Sequence, residues 1–282
     1  MFVTRFAPSP TGYLHFGHAF AAMTAHDAAQ GGRFLLRIED LDVSRCREVF
    51  VEGIVDDLRW LGLDWEGPVL RQSARAGVYR STLDELDRLG LIYPCFCTRA
   101  AVAAEIARSA EAPHGPDGPF YPGTCRLLSA ADRLLRENAG AEFALRLDSA
   151  KAAERVGELS FHEARGYPYT TYDRVSVNPV RFGDIVLARK DTPASYHMAV
   201  VIDDAEQGVT LVTRGRDLLS STHVHRVLQS LLGLPAPKYA HHRLILDSDG
   251  RKMSKRDGAQ SLRALRTAGA KPADIAAMLH RA

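Results

Sequence analysis

The segment RFAPSPTGYLHFGH, Arg5 to His18, places two histidines three residues apart behind a Pro/Gly-rich turn. At that spacing His15 and His18 share one face of a helical first turn. A helix start offers unpaired N–H groups and partial positive charge, which suits a phosphate. Gly12 and Gly17 let a ligand approach the backbone. Two imidazoles there can donate to phosphate oxygens as charge builds in a transition state. The same residues also fit two capping or buried histidines, or a metal pair, although no nearby carboxylate completes a metal set.

Two other stretches carry chemistry. GRKMSKR, Gly250 to Arg256, packs four cations into seven residues. A solvated loop and an anion-binding loop both fit it. Among four cysteines, Cys95 and Cys97 are too close in sequence to pair as a disulfide, which favours a metal. Cys-x-Cys alone is a weak zinc signal, because zinc sites more often use two intervening residues. Small buried hydrophobes are the other reading.

The elements that must position these residues follow from the pattern. MFVTRFAP reads as a strand ended by Pro8 and Pro10, and Ala-rich FGHAFAAMTAHDAA as a helix. RFLLRIED is a second strand, apolar enough to be buried on both faces. Strand, helix, strand implies a parallel pair with a right-handed crossover. EVFVEGIVDDLRWLGL and AGVYRSTLDELDRLG read as amphipathic helices. From Tyr93 the character changes: a Cys pair runs into a helix, and a Pro/Gly-rich loop follows. After a short helix near Ala130, EFALRLD and RVGELSFHE alternate like strands of an inserted antiparallel piece. GDIVLARKD, VTLVTRG and HRLILD read as strands. SYHMAVVIDDAEQG and THVHRVLQSLLG read as helices, and two short helices end the sequence. The expectation is an α/β fold, a doubly wound parallel sheet interrupted from about Tyr93 to Lys190, with ligands at the carboxyl ends of its strands.

The 282 residues are 46% hydrophobic and 25% charged, an ordinary globular composition. Lys plus Arg is 36 against 34 Asp plus Glu, so any nucleic-acid contact must use a local patch. No apolar run reaches the roughly 20 residues of a membrane span, and no signal peptide opens the sequence. A cytoplasmic monomer with no membrane partner is expected.

APSPTGYLHFGH near the start and KMSKR near the end resemble the two signatures of class I aminoacyl-tRNA synthetases. RIEDLD, YHMAVVIDD, GVTLVTRG and KMSKRDGA resemble the glutamyl-tRNA synthetase group in particular, over about residues 3 to 260. CFC with YPGTC, and only 26 residues after Arg256, resemble its truncated paralogues, the glutamyl-Q tRNA(Asp) synthetases. That resemblance implies a Rossmann-like core in two halves, 1–92 and 191–258, the second carrying the KMSKR loop. It implies an inserted α+β acceptor and zinc subdomain at 93–190, C-terminal helices at 259–282, and no anticodon-binding domain. One structural Zn2+ is implied on Cys95, Cys97, Tyr121 and Cys125, with Cys46 and His114 as substitutes for Tyr121.

The resemblance further implies attack of the glutamate α-carboxylate on the α-phosphorus of ATP, with Mg2+ accompanying ATP. His15, Gly17 and His18 then cradle phosphates, while Lys252 and Lys255 hold pyrophosphate, Lys255 being the first choice for ATP. Arg256 replaces the consensus serine. Glutamate falls to Arg5, Phe6, Ala7, Pro8, Ser9, Glu39, Tyr196 and Arg214, with Glu39 taking the ammonium. Val200, where fuller synthetases often have Asn, implies weaker glutamate binding. Activation without tRNA is expected, followed by transfer to queuosine in the anticodon of tRNA(Asp), a nucleotide that must leave its stack. Rival readings are a glutamate-activating paralogue with a small-molecule or protein acceptor, and a non-catalytic RNA-binding relic.

Overall fold

β1 (Val3–Phe6) lies parallel to β2 (Arg33–Ile38), in register from Val3↔Arg33 to Phe6↔Leu36. Between them runs α1 (Phe16–Ala28), whose buried Ala19, Ala22, Ala25 and Ala28 bring the helix close to the sheet. Thr4 Oγ1 donates to the Ala25 carbonyl across that contact at 2.7 Å. Gly32 has no alternative here, because a Cβ would stand 2.1 Å from the Phe2 carbonyl oxygen. α2 (Glu48–Trp60) leads to the short β3 (Leu70–Arg71), parallel to β2, and α3 (Ala76–Arg88) follows. The structure, a computed structural model, describes residues 1–98, 100–102, 114–115, 118–119, 121–245 and 260–281.

The middle of the chain builds a small antiparallel sheet. β4 (Ile92–Cys95) is followed by the hairpin of β5 (His114–Gly115) and β6 (Gly118–Pro119), inside a stretch that composition reads as loop. α4 (Ala130–Asn138) is capped by Ser129, which accepts from the Asp132 amide. β7 (Ala144–Leu147) pairs with β4. α5 (Ser149–Val156) fills the gap between the expected strands EFALRLD and RVGELSFHE and takes Arg155 and Val156 from the second; Asp148 caps it by accepting from the Lys151 amide, and Gly157 ends it at φ 60°. The local cap and Ala-rich SAKAAERV outweigh the alternation seen from sequence.

β8 (Ser160–Ala164) therefore does not join β7. It runs antiparallel to β9 (Tyr172–Ser176) and belongs to the larger sheet. β10 (Val186–Ala188) completes the small sheet beside β7. α6 (Tyr196–Glu206), β11 (Leu211–Gly215), α7 (Ser221–Leu231) and β12 (Lys238–His242) then form a second parallel unit. β12 pairs parallel to β8 at Tyr239↔Glu163. Of the expected strand HRLILD, His242 ends β12, Arg243 to Ile245 are not strand, and Leu246 and Asp247 lie outside the described residues; β12 starts at Lys238, directly after Pro235 and Pro237, whose missing N–H groups exclude an earlier start.

The two parallel units meet edge to edge. The Thr210 amide donates to the Val3 carbonyl at 2.9 Å, so β11 runs beside β1. α8 (Leu262–Thr267) and α9 (Pro272–Arg281) return to the first unit, where the Leu262 amide donates to the Leu14 carbonyl at 2.8 Å. Leu262 and Ile275 are buried with Phe6, Leu14, Ile54 and Leu58 in one core. A second core joins Tyr79, Leu86, Met198, Val200 and Leu228.

Candidate active site

From the β1–β11 junction the chain winds outward in both directions, β2 on one side and β12 on the other. That is a switch point, and its crevice lies at the strands' carboxyl ends. A cleft of about 580 Å3 occupies it. β1 and its turn contribute Arg5, Phe6, Ala7, Pro8 and Ser9; β2 contributes Glu39. β11 contributes Arg214, α1 contributes His15, Gly17 and His18, and α6 contributes Tyr196. Eleven residues expected from sequence are thus brought to one space. Lys252, Lys255 and Arg256 lie outside the described residues. Val200 is buried in the second core and is not among the residues lining the cleft.

Around Arg5 and Glu39 the charges are built into a buried network. Arg5 Nε donates to Asp204 Oδ1 at 2.8 Å, and its Nη1 donates to the Thr213 carbonyl at 3.2 Å. Arg37, fully buried, donates from Nη1 to the same Asp204 oxygen at 2.7 Å and to Gln207 Oε1 at 2.9 Å. Its Nη2 lies 3.4 Å from Glu39 Oε1. Burial pushes the Glu39 carboxyl above its usual range, against the pull of Arg37 and Arg5. Burial also works against Asp204, but the two arginines outweigh it and hold that carboxyl low. Sequence reasoning missed Arg37 and Asp204. Their signal was available as one charged residue inside the buried run RFLLRI, and as a carboxylate on the mostly apolar helix YHMAVVIDDAE.

Arg214 is anchored rather than loose. Nε donates to His241 Nε2 at 3.0 Å, Nη1 to His225 Nδ1 at 3.0 Å and Tyr196 Oη at 3.4 Å, and Nη2 to Thr222 Oγ1 at 2.7 Å. One of its five N–H groups stays uncommitted by these bonds. These bonds make it a fixed cation with little freedom to reorient. Burial raises the Tyr196 hydroxyl above its usual range, so it remains protonated.

His15 caps α1. Its Nδ1 accepts from the Gly17 amide at 3.1 Å, and His18 Nδ1 accepts from the His15 amide at 3.2 Å. The ring centroids are 3.8 Å apart. A nitrogen that accepts an N–H carries no hydrogen, so each neutral ring keeps its hydrogen on Nε2. A Cβ at Gly17 would lie 3.1 Å from His15 Cε1, so glycine admits the folded ring. Capping and phosphate donation are compatible here: the cap fixes the tautomer that leaves Nε2–H as the donor.

The cysteine cluster lies apart, where β4 meets the turn at Thr124–Leu127. The Sγ atoms of Cys95, Cys97 and Cys125 all lie within 4.8 Å of one another, with Cys97 and Cys125 at 3.4 Å. Tyr121 Oη is 3.6 Å from Cys97 Sγ and accepts from the Cys125 amide at 2.8 Å. Burial pushes the Cys97 thiol up to about 11. Cys95 is held below its usual range, since hydrogen bonds from Tyr121 and Arg146 outweigh its burial. Three sulfurs at this spacing can hold a metal ion, and a tetrahedral thiolate site fits them. Cys46 lies elsewhere, beside Asp40 and Asp42. The His114 backbone pairs with Pro119, and its side chain is outside the described residues.

No helix among the described residues is long and apolar enough to cross a membrane. Over residues 1–282 the sequence matches the model of the tRNA synthetases class I (E and Q), catalytic domain. It is 50% identical to the glutamyl-Q tRNA(Asp) synthetase of Rhodobacter capsulatus, covering 97% of this chain and 98% of that one. It is 45% identical to the protein of that name from Nocardia farcinica, covering 98% and 82%. Among solved structures it resembles a glutamate tRNA ligase from Elizabethkingia meningosepticum with TM-score 0.73 and 30% identity, over 91% of this chain and 52% of that one. The match over the whole sequence, together with a switch-point cleft that gathers the expected residues, shows that this ligase belongs to the glutamyl-Q tRNA(Asp) synthetase family of class I tRNA synthetases.

Proposed function

We propose that the protein activates L-glutamate with ATP, without tRNA, and transfers it to queuosine in the anticodon of tRNA(Asp). The observation that carries this reading is the polarity of one cleft. Buried Arg5 and part-buried Glu39 line it from the strand ends, and the His15–His18 pair lines it from the start of α1. A guanidinium fork matches a carboxylate, and Glu39 offers the counter-charge for an ammonium. The Nε2–H groups of His15 and His18 are placed for phosphate oxygens. The α-carboxylate attacks the α-phosphorus, an O–P bond forms, and pyrophosphate leaves; the resemblance assigns Lys252 and Lys255 to hold it. Positioning and charge stabilisation carry such a step. Mg2+ travels with ATP as part of the substrate.

Cys95, Cys97, Cys125 and Tyr121 would hold a structural zinc, which pins the Pro/Gly-rich segment between residues 97 and 125. Residues 1–92 and 191–258 would act as the two halves of the catalytic core around an inserted unit at 93–190, with 259–282 as C-terminal helices. The protein would work as a cytoplasmic monomer. Transfer of labelled glutamate to tRNA(Asp), with and without queuosine, tests the reading. Labelling only of the queuosine-bearing tRNA is expected. Equal labelling of both rejects the queuosine acceptor.

A further inference from the structure

A second cleft of about 480 Å3 adjoins the first and shares Ser9, Glu39 and Tyr196 with it. Whatever occupies it abuts the glutamate end of the activation site. Its rim carries two arginines, Arg189 and Arg45, the latter paired with Asp42 of the same rim. His197, from the first turn of α6, also lines it.

Arg214 fixes the hydrogens of that histidine from a distance. A guanidinium only donates, so His225 Nδ1 accepts from Arg214 Nη1. Burial and the Arg214 charge hold His225 neutral, which puts its hydrogen on Nε2. That Nε2–H faces His197 Nδ1 at 3.2 Å, so Nδ1 accepts. His197 is also neutral, pushed down to about 4 by burial and Arg214, and its hydrogen sits on Nε2. On the other side, His241 Nε2 accepts from Arg214 Nε, and its Nδ1–H donates to Glu163 Oε2 at 2.8 Å. One cation therefore polarises a chain in both directions, and its far end is an N–H on a residue lining the second cleft. Among the described residues, the side-chain hydrogen bond of His197 is the one at Nδ1, and Nε2 has none.

We infer that the second cleft receives the acceptor nucleoside of the transfer step, with His197 Nε2–H as a fixed donor to a hydroxyl oxygen other than the attacking one. This rests on the proposed transfer to tRNA. The argument is chemical. A nucleoside acceptor brings a hydroxylated ring to be read by a neutral donor, and flanking phosphates to be met by rim arginines. The attacking hydroxyl adds to the glutamyl carbonyl carbon. An ester C–O bond forms, the bond from that carbon to the AMP phosphate oxygen breaks, and AMP leaves with the electron pair and takes up the hydroxyl proton. His197 is a donor and never the base in this sequence.

The test compares two reactions of the full-length protein: glutamate-dependent pyrophosphate exchange, and transfer of labelled glutamate to queuosine-bearing tRNA(Asp). With His197→Ala, the ratio of transfer to exchange falls about tenfold, which corresponds to about 1.4 kcal/mol. His197→Gln, which restores a donor near the Nε2 position, recovers much of that ratio. A second readout is 15N NMR of the histidine rings, with pyrrole-type Nε2 and pyridine-type Nδ1 expected for His197 and His225. An unchanged ratio in His197→Ala, or a protonated Nδ1 on His197, overturns the inference. Wild-type protein that exchanges pyrophosphate but labels no tRNA instead removes the transfer reading on which the inference rests.

Discussion

In the cleft, each buried arginine is held by the protein's own side chains, Arg5 and Arg37 by counter-charge and Arg214 by neutral partners. Arg5 and Arg37 share Asp204, Arg37 also reaches Glu39, and Arg214 is held at all three nitrogens. In the cysteine cluster the balance differs. Three thiols and a phenol converge, and the nearby cation is Arg146, stacked 3.9 Å from the Tyr121 ring centroid. The first region is pre-organised by its own side chains, while the second gathers acidic donors whose ionisation calls for a metal cation. Substrate binding should therefore fail when one member of the cleft network is removed. The insert should fail when metal is removed.

The largest effect expected is on the cluster. Cys125→Ser should eliminate stoichiometric zinc, measured by metal analysis of the purified protein. A structural zinc contributes on the order of 10 kcal/mol to the segment it closes. Full zinc occupancy in that variant would remove Cys125 from the site and weaken the contrast between the regions.

Next is Asp204→Ala, which leaves two buried guanidiniums without their shared carboxylate. Breaking a buried pair of this kind costs about 3–5 kcal/mol. Urea denaturation should show that loss, and the KM for glutamate should rise far more than the KM for ATP. Equal changes in both constants would mean that the network supports the whole cleft rather than its amino-acid end.

Smaller effects come from pH. His197 titrates near 6.5 when unfolded and about 4 when folded. Between those values the unfolded state binds more protons, so stability should fall as pH drops from about 6.5 to 4. His197→Gln should flatten that slope in denaturation midpoints. Asp57 works in the opposite sense. It is fully buried on α2, its two carboxylate oxygens accept no hydrogen bond, and Arg266 stands 3.7 Å away. Burial pushes it up to about 6 from 3.8. The folded state then binds more protons across that window, and stability is lost as pH rises through about 6. Asp57→Asn should raise the melting temperature at pH 7.5, by an amount corresponding to about 1–3 kcal/mol, and have little effect at pH 4.

These regions were unequally legible in the sequence. His15, Glu39, Tyr196 and Arg214 could be placed in one cleft because strand ends and helix starts are local features, and a parallel sheet brings them together. The Arg5–Asp204–Arg37 network was not visible, since its partners lie 199 and 167 residues apart. No local pattern records such a pairing. The strand β8 was legible as a strand, but its partner was not. Its pairing with β12 depends on α5 carrying the chain away from β7, and a cap at Asp148 decided that. The cysteine spacing suggested a metal, whereas the approach of Cys97 and Cys125 to 3.4 Å needed the fold.

The central claim is that the cleft activates glutamate by itself, and pyrophosphate exchange tests it most directly. Purified protein with ATP, Mg2+, pyrophosphate and L-glutamate should exchange label in the absence of any tRNA, and L-glutamine should not substitute. Exchange that appears only when tRNA is added, or that proceeds equally with glutamine, would contradict the account.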